Sequence, residues 1–224
     1  MQSEVIIMKI KGAIFDMDGT LVDSMKYWDT VGIEYLERNG IKFNSDDENY
    51  VLKVGIKNFT KYCNENYGLG KTYEEVLVEI HDIMDEKYNT VVTLKAGAEK
   101  MLERLRQNGV KICLATATEQ ASAKNILNKL GVLDYFQDVI TTTIVGKDKN
   151  SPLIYEKAME LLGTSKEETY IFEDAVYAIN TAKNAGFNVI GIEDDFSALP
   201  PFEVAKMCDH FLYAKDEYDI SFLD

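Results

Sequence analysis

The chain has 224 residues, 46% hydrophobic and 28% charged, the composition of an ordinary globular protein long enough to bury a sizeable core. Asp and Glu outnumber Lys and Arg 38 to 24, for a formal net charge of −14, so nucleic acid and anionic membranes are not expected partners. No apolar run approaches the ~20 residues of a membrane helix. Cys63, Cys113 and Cys208 stand far apart with no CxxC, which argues against a disulfide frame or zinc site and points to the cytoplasm.

The start has no secretory layout, and either Met1 or Met8 could initiate the chain. Residues 10–15 form a short apolar run that stops at Asp16, with Gly19 just beyond, and read as a buried strand. Helical patterns then fill residues 25–38, much of 46–67, and 72–88, with no convincing strand among them. Asp23 and Ser24 are expected to hinge or cap this segment, with re-entry near 91–94. A helix over 98–108 puts Met101, Leu102 and Leu105 on one face and stops at Gly109. Strands follow at 110–115, 138–142, 169–172 and 188–192, with a weaker one at 210–213. The helices between them, 119–130, 152–162 and 176–185, stop at Gly131, Gly163 and Gly186, and Pro152 suits a first turn. This repeating order predicts an α/β protein, a Rossmann-like parallel sheet with helices on both faces. Its core is expected from 1–22 and 92–224, and a helical cap over 23–91 is inserted after the first strand.

Ligands of such a sheet bind at the carboxyl ends of its strands. Those ends carry Asp16-Met17-Asp18-Gly19-Thr20, then Thr116-Ala117-Thr118, then a loop with Lys147 and Lys149, and finally Glu173-Asp174. A carboxylate rigidly held at a strand end, Asp16, can attack phosphorus and form an acyl phosphate. Attack of one anion on another needs charge neutralisation. Mg²⁺, which prefers oxygen ligands, could take them from Asp16, Glu173, Asp174 and a backbone carbonyl. A lysine and hydroxyls would hold the phosphoryl oxygens. Asp18, in the turn after Asp16, could protonate the leaving oxygen and then activate water, while Gly19 lets the chain turn tightly beside the phosphate.

Taken singly, each feature has a bland reading. An Asp-x-Asp-Gly run is usually a solvated turn. Thr116 or Thr118 could cap the helix after its strand, and Glu173-Asp174 could favour the start of the next one. Lys147 and Lys149 could be a solvated loop. The aromatics of the insertion, Trp28 included, read first as packing.

Together and in this order, DxDGT at Asp16, Thr116 after a strand, a lysine ahead of Ser151-Pro152, and Glu173-Asp174 resemble the haloacid dehalogenase superfamily of phosphatases over nearly the whole chain. The insertion after DxDGT looks like its small-cap branch, that of β-phosphoglucomutase and phosphoglycolate-phosphatase-like proteins. The resemblance implies a hydrolase of a small phosphorylated metabolite with Asp16 as nucleophile and Asp18 as acid/base. Phosphate contacts would come from Gly19, Thr116, Ala117 and Lys149. Mg²⁺ would be held by Asp16, the Asp18 carbonyl, Glu173 and Asp174. The family pattern Lys-Pro-x-Pro-Asp reads here Lys149-Asn150-Ser151-Pro152-Leu153; aligning on Pro152 selects Lys149, with Lys147 as competitor. The insertion is expected to move as a lid. The rivals are a phosphomutase, a non-catalytic phospho-acceptor and a dehalogenase. In β-phosphoglucomutases a cap-linker histidine couples sugar binding to closure, and the corresponding position here is Trp28, which cannot relay a proton.

Overall fold

The computed structural model describes residues 10–51, 54–214 and 220, so the choice between Met1 and Met8 as start lies outside the described residues. The chain divides into two compact units: residues up to Asp23 together with those from Thr93 onward, and Ser24–Val92. In chain order the elements are β1 (Gly12–Phe15), α1 (Met25–Arg38), α2 (Ser45–Val51), α3 (Ile56–Tyr67), α4 (Tyr73–Thr90), α5 (Ala98–Gln107) and β2 (Lys111–Thr116). Then come α6 (Gln120–Lys129), β3 (Asp138–Thr141), α7 (Thr142–Val145), α8 (Leu153–Leu162), β4 (Thr169–Glu173), α9 (Val176–Asn184), β5 (Asn188–Ile192), α10 (Pro201–Val204) and β6 (His210–Leu212).

Among the described residues all six strands belong to the first unit and form one parallel sheet in the order β3-β2-β1-β4-β5-β6. The chain steps outward from β1 to β3, crosses back, and steps outward again from β4. The direction reverses between β1 and β4, where open α/β sheets leave a crevice at their carboxyl ends. Register fixes what stands there. Phe15 is paired with Leu114 on one side and Phe172 on the other. The Asp16 N–H continues the ladder to the Phe172 carbonyl at 3.0 Å. Asp16 therefore emerges level with the end of β4, beside Glu173 and Asp174.

The strands are buried nearly throughout, as expected for a sheet covered on both faces. One face places Ile14, Cys113, Ala115, Ile171 and Val189 against Ile154, Tyr155, Ala158 and Leu162 of α8 and Ile179 and Ala182 of α9. The alternate residues of β1 and β4 point the other way, where Phe15 and Phe172 stack with ring centroids 4.1 Å apart and Phe136 meets Phe15 edge-on at 6.5 Å. Truncating either stacked ring to alanine would cost about 3–5 kcal/mol.

Each expected strand is present, with bounds shifted by no more than two residues. β3 ends at Thr141 rather than 142 because the Thr141 hydroxyl accepts from the Ile144 N–H at 3.3 Å and opens the short α7, too brief to show in periodicity. The capping reading of Thr116 and Thr118 is corrected. Glu119 occupies the N-cap of α6 and makes no side-chain cap bond. Thr116 Oγ1 accepts instead from the Thr118 N–H at 3.0 Å, and the Thr118 hydroxyl donates to Asp18 at 2.6 Å.

The second unit is wholly helical among the described residues. Its α4 starts from a reciprocal capping box between Thr72 and Glu75. Tyr35 of α1 meets Phe59 of α3 edge-on at 5.4 Å, and the Trp28 indole N–H donates to the Tyr88 hydroxyl at 3.1 Å. Ser24, fully buried, takes the N-cap position of α1 without a side-chain cap bond.

Candidate active site

The turn after β1 is tight. The N–H groups of Leu21 and Val22 both reach back to the Met17 carbonyl, at 2.9 and 3.0 Å, and Gly19 N–H donates to Val22 at 3.1 Å. Gly19 adopts φ +83°, a conformation that costs other residues strain. The turn leaves Asp18 partly exposed, and Thr118 Oγ1 donates to its carboxylate from the end of β2. It also sends the next residue inward: the Thr20 hydroxyl donates to Asp174 Oδ1 at 2.8 Å.

Asp16, Glu173 and Asp174 are all buried, and each offers a carboxylate oxygen within 4.8 Å of the others. Lys149, 3% exposed, is hydrogen-bonded through Nζ to Asp16 and to Glu173 Oε1 at 2.6 Å. Tyr155 in α8 donates to the same Glu173 oxygen at 3.0 Å. Three carboxylates against this one ammonium leave a formal excess of two negative charges.

The electrostatics follow. Burial, relieved only in part by Lys149, pushes the Asp16 carboxyl up to about 7. Burial, with Asp16 and Glu173 adding to it, holds the Asp174 carboxyl well above its ordinary range. Burial opposes the Lys149 charge, but Asp16 and Glu173 outweigh it and keep the ammonium protonated far beyond the usual lysine range. A site whose carboxylates resist ionisation in this way is short of positive charge. Its donors are all oxygen, so the chemistry fits a hard divalent cation.

The candidate residues thus fall as follows. Asp16, Lys149, Glu173 and Asp174 come together in one buried cluster. Asp18 and Gly19 line the adjoining turn. Thr116 is fully buried at the end of β2, and Ala117 is exposed just beyond it. Lys147 lies on the exposed surface outside the cluster. Three residues in contact with the site carry no catalytic or binding role in the sequence reading: Thr20, Thr118, which reads there only as a helix cap, and Tyr155. Thr20 and Thr118 sit inside runs already singled out, so their position was a signal. Tyr155 is hidden because its helix reads simply as apolar.

A model of the haloacid dehalogenase-like hydrolases matches residues 10–186. The chain is 25% identical over 181 residues to a phosphorylated carbohydrates phosphatase of Thermotoga maritima, covering 81% of this chain and 84% of that protein. It is 25% identical over 192 residues to a β-phosphoglucomutase of Bacillus subtilis, covering 82% and 83%. Among solved structures, a family IA, variant 3 hydrolase from Entamoeba histolytica superimposes with a TM-score of 0.79 at 21% identity, over 96% of this chain and 97% of that one, a likeness of fold.

Proposed function

The chain belongs to the haloacid dehalogenase-like hydrolases, and we propose that it is a Mg²⁺-dependent phosphatase that releases phosphate from a small organic monoester through an aspartyl phosphate on Asp16. The observation that carries this reading is the buried cluster of Asp16, Glu173 and Asp174 with Lys149 bonded into it, one turn from a second acid, Asp18.

Mg²⁺ would be held by Asp16, Asp174 and Glu173 with the Asp18 backbone carbonyl, and when bound it supplies the positive charge that the cluster lacks. The remaining work falls to the chain. Asp16 Oδ attacks phosphorus and the ester oxygen departs, so the phosphoryl group moves to the carboxylate. The Asp18 carboxyl gives the leaving oxygen a proton, becomes a base, and takes a proton from the water that then cleaves the acyl phosphate. Thr118 holds the Asp18 carboxylate through Oδ2. Lys149, Thr116 and the backbone at Gly19 and Ala117 bind the phosphoryl oxygens, and Glu173 and Tyr155 fix the lysine.

The Thermotoga relative acts on phosphorylated carbohydrates by its name, and a phosphorylated sugar or similar small metabolite is the substrate class we propose here. The three cysteines are unpaired, consistent with the cytoplasmic setting expected from their spacing. No described helix is long and apolar enough to cross a membrane. A phosphomutase is the second reading, favoured by the β-phosphoglucomutase relative. Against it, the single indole N–H of Trp28 already donates to Tyr88 within the insertion, where a mutase needs a relay. The test is phosphate release from a panel of sugar phosphates and an aryl phosphate, with Mg²⁺ and with chelator. Release confined to the Mg²⁺ arm supports the proposal; no release from any substrate, or release indifferent to chelator, overturns it.

A further inference from the structure

Behind the turn that carries Asp18 lies a second buried charge. Lys95 follows the return crossing from the insertion, and its backbone is zipped to the turn. Its N–H donates to the Leu21 carbonyl at 2.9 Å, Asp23 N–H donates to Thr93 at 2.9 Å, and Val22 forms a bridge with Leu94. The side chain, 9% exposed, turns inward. Its ammonium donates to the Gly19 carbonyl, to the Glu193 carbonyl at 2.8 Å, and to Asp194 Oδ2 at 2.8 Å. Asp194 is itself buried, and its other oxygen accepts from the Phe196 N–H at 2.9 Å.

We propose that Lys95 is a positioning residue for the phosphatase reaction: it fixes the Gly19–Thr20 peptide, and through Thr20 the Asp174 carboxylate of the cation-binding cluster. The inference rests on the function proposed above. The chain of contacts is short and continuous. Lys95 holds the Gly19 carbonyl, the next residue is Thr20, and the Thr20 hydroxyl holds Asp174 Oδ1 at 2.8 Å. Gly19 is the most permissive residue in the turn, at φ +83°, so its peptide needs an external hold to keep one orientation. Asp194 supplies the counter-charge that allows a lysine to be buried there, and Lys95 in turn shields the cluster from the Asp194 carboxylate.

A plain structural role would lower thermal stability and nothing else; a positioning role changes how the cluster binds a cation. Lys95→Met alone strands a buried Asp194 carboxylate and is expected to be strongly destabilised, so the test uses Lys95→Met/Asp194→Asn, which removes one charge of each sign and keeps the acceptor for Phe196. Mg²⁺ alone is titrated into wild type and double variant by calorimetry, a readout independent of turnover, beside kcat and KM on the best substrate of the panel. The expected result is a folded variant whose Mg²⁺ Kd rises at least tenfold and whose kcat falls at least tenfold, with KM moving less than threefold. A folded variant with the wild-type Mg²⁺ Kd and kcat, even if its Tm drops, overturns the inference. Failure of the underlying function looks different: wild type itself then releases no phosphate, whatever its affinity for Mg²⁺.

Discussion

Lys149 donates to Glu173 Oε1 at 2.6 Å and, through the same nitrogen, to Asp16. A lysine so placed both restrains the nucleophile and supplies positive charge where phosphoryl oxygens gather. Lys149→Met should lower kcat by about 10³-fold or more, about 4 kcal/mol of transition-state stabilisation. Lys147→Ala, a change on the exposed surface, should leave kcat within twofold. Steady-state rates of the two variants check this, and the reverse ranking would remove Lys149 from the chemistry.

Asp18 has a partner in Thr118 and a role in both half-reactions. Asp18→Asn should cost about 10²–10⁴-fold with an alkyl phosphate, the usual size of a general acid–base contribution. An activated aryl phosphate needs little help in leaving, so its first step should be largely spared and phosphoenzyme should accumulate. Rapid-quench burst amplitudes separate the steps; equal loss in phosphoenzyme formation for both substrates would place Asp18 outside leaving-group protonation.

The raised Asp16 carboxyl makes a statement about stability. Its folded value, about 7, lies above the ordinary 3.8, so between those values the folded state binds the extra proton. Stability from this group is present at low pH and lost as pH rises through that window. Chelated protein should therefore show a lower Tm at pH 8 than at pH 5.5, and Mg²⁺ should raise Tm more at pH 8. Asp16→Asn should flatten the pH dependence. Thermal scans in both buffers test this, and a Mg²⁺ effect of equal size at the two pH values would contradict it.

Hydrolysis should dominate over mutase turnover, because Trp28 spends its one donor on Tyr88. With β-glucose 1-phosphate, conversion to glucose 6-phosphate faster than phosphate release would establish the mutase; hydrolysis of another sugar phosphate with this one untouched supports the phosphatase.

Much of the fold was legible because strands and helices alternate with clean stops. β5 was expected at 188–192 and is Asn188–Ile192. Gly131, Gly163 and Gly186 all follow helices and take positive φ. What escaped was short or tertiary. α7 has four residues and no period to detect. The threonines after β2 look like helix caps locally, yet the Thr118 hydroxyl is claimed by Asp18, 100 residues away in sequence. Lys147 and Lys149 are alike in local composition; alignment on Pro152 favours Lys149, and the folded loop leaves Lys147 exposed and Lys149 buried. Tyr155 repeats the apolar spacing of its helix, and nothing local marks a hydroxyl that ends on Glu173.

The most direct measurement is of the covalent intermediate. Asp18→Asn protein is mixed with Mg²⁺ and an aryl phosphate, quenched in acid, and digested for mass spectrometry. The phosphatase reading predicts one phosphoryl group on the peptide that contains Asp16, absent when Asp16→Asn is added to the variant. Turnover by the wild-type protein with no phosphoryl group on that peptide, or turnover by Asp16→Asn at the wild-type rate, would contradict it.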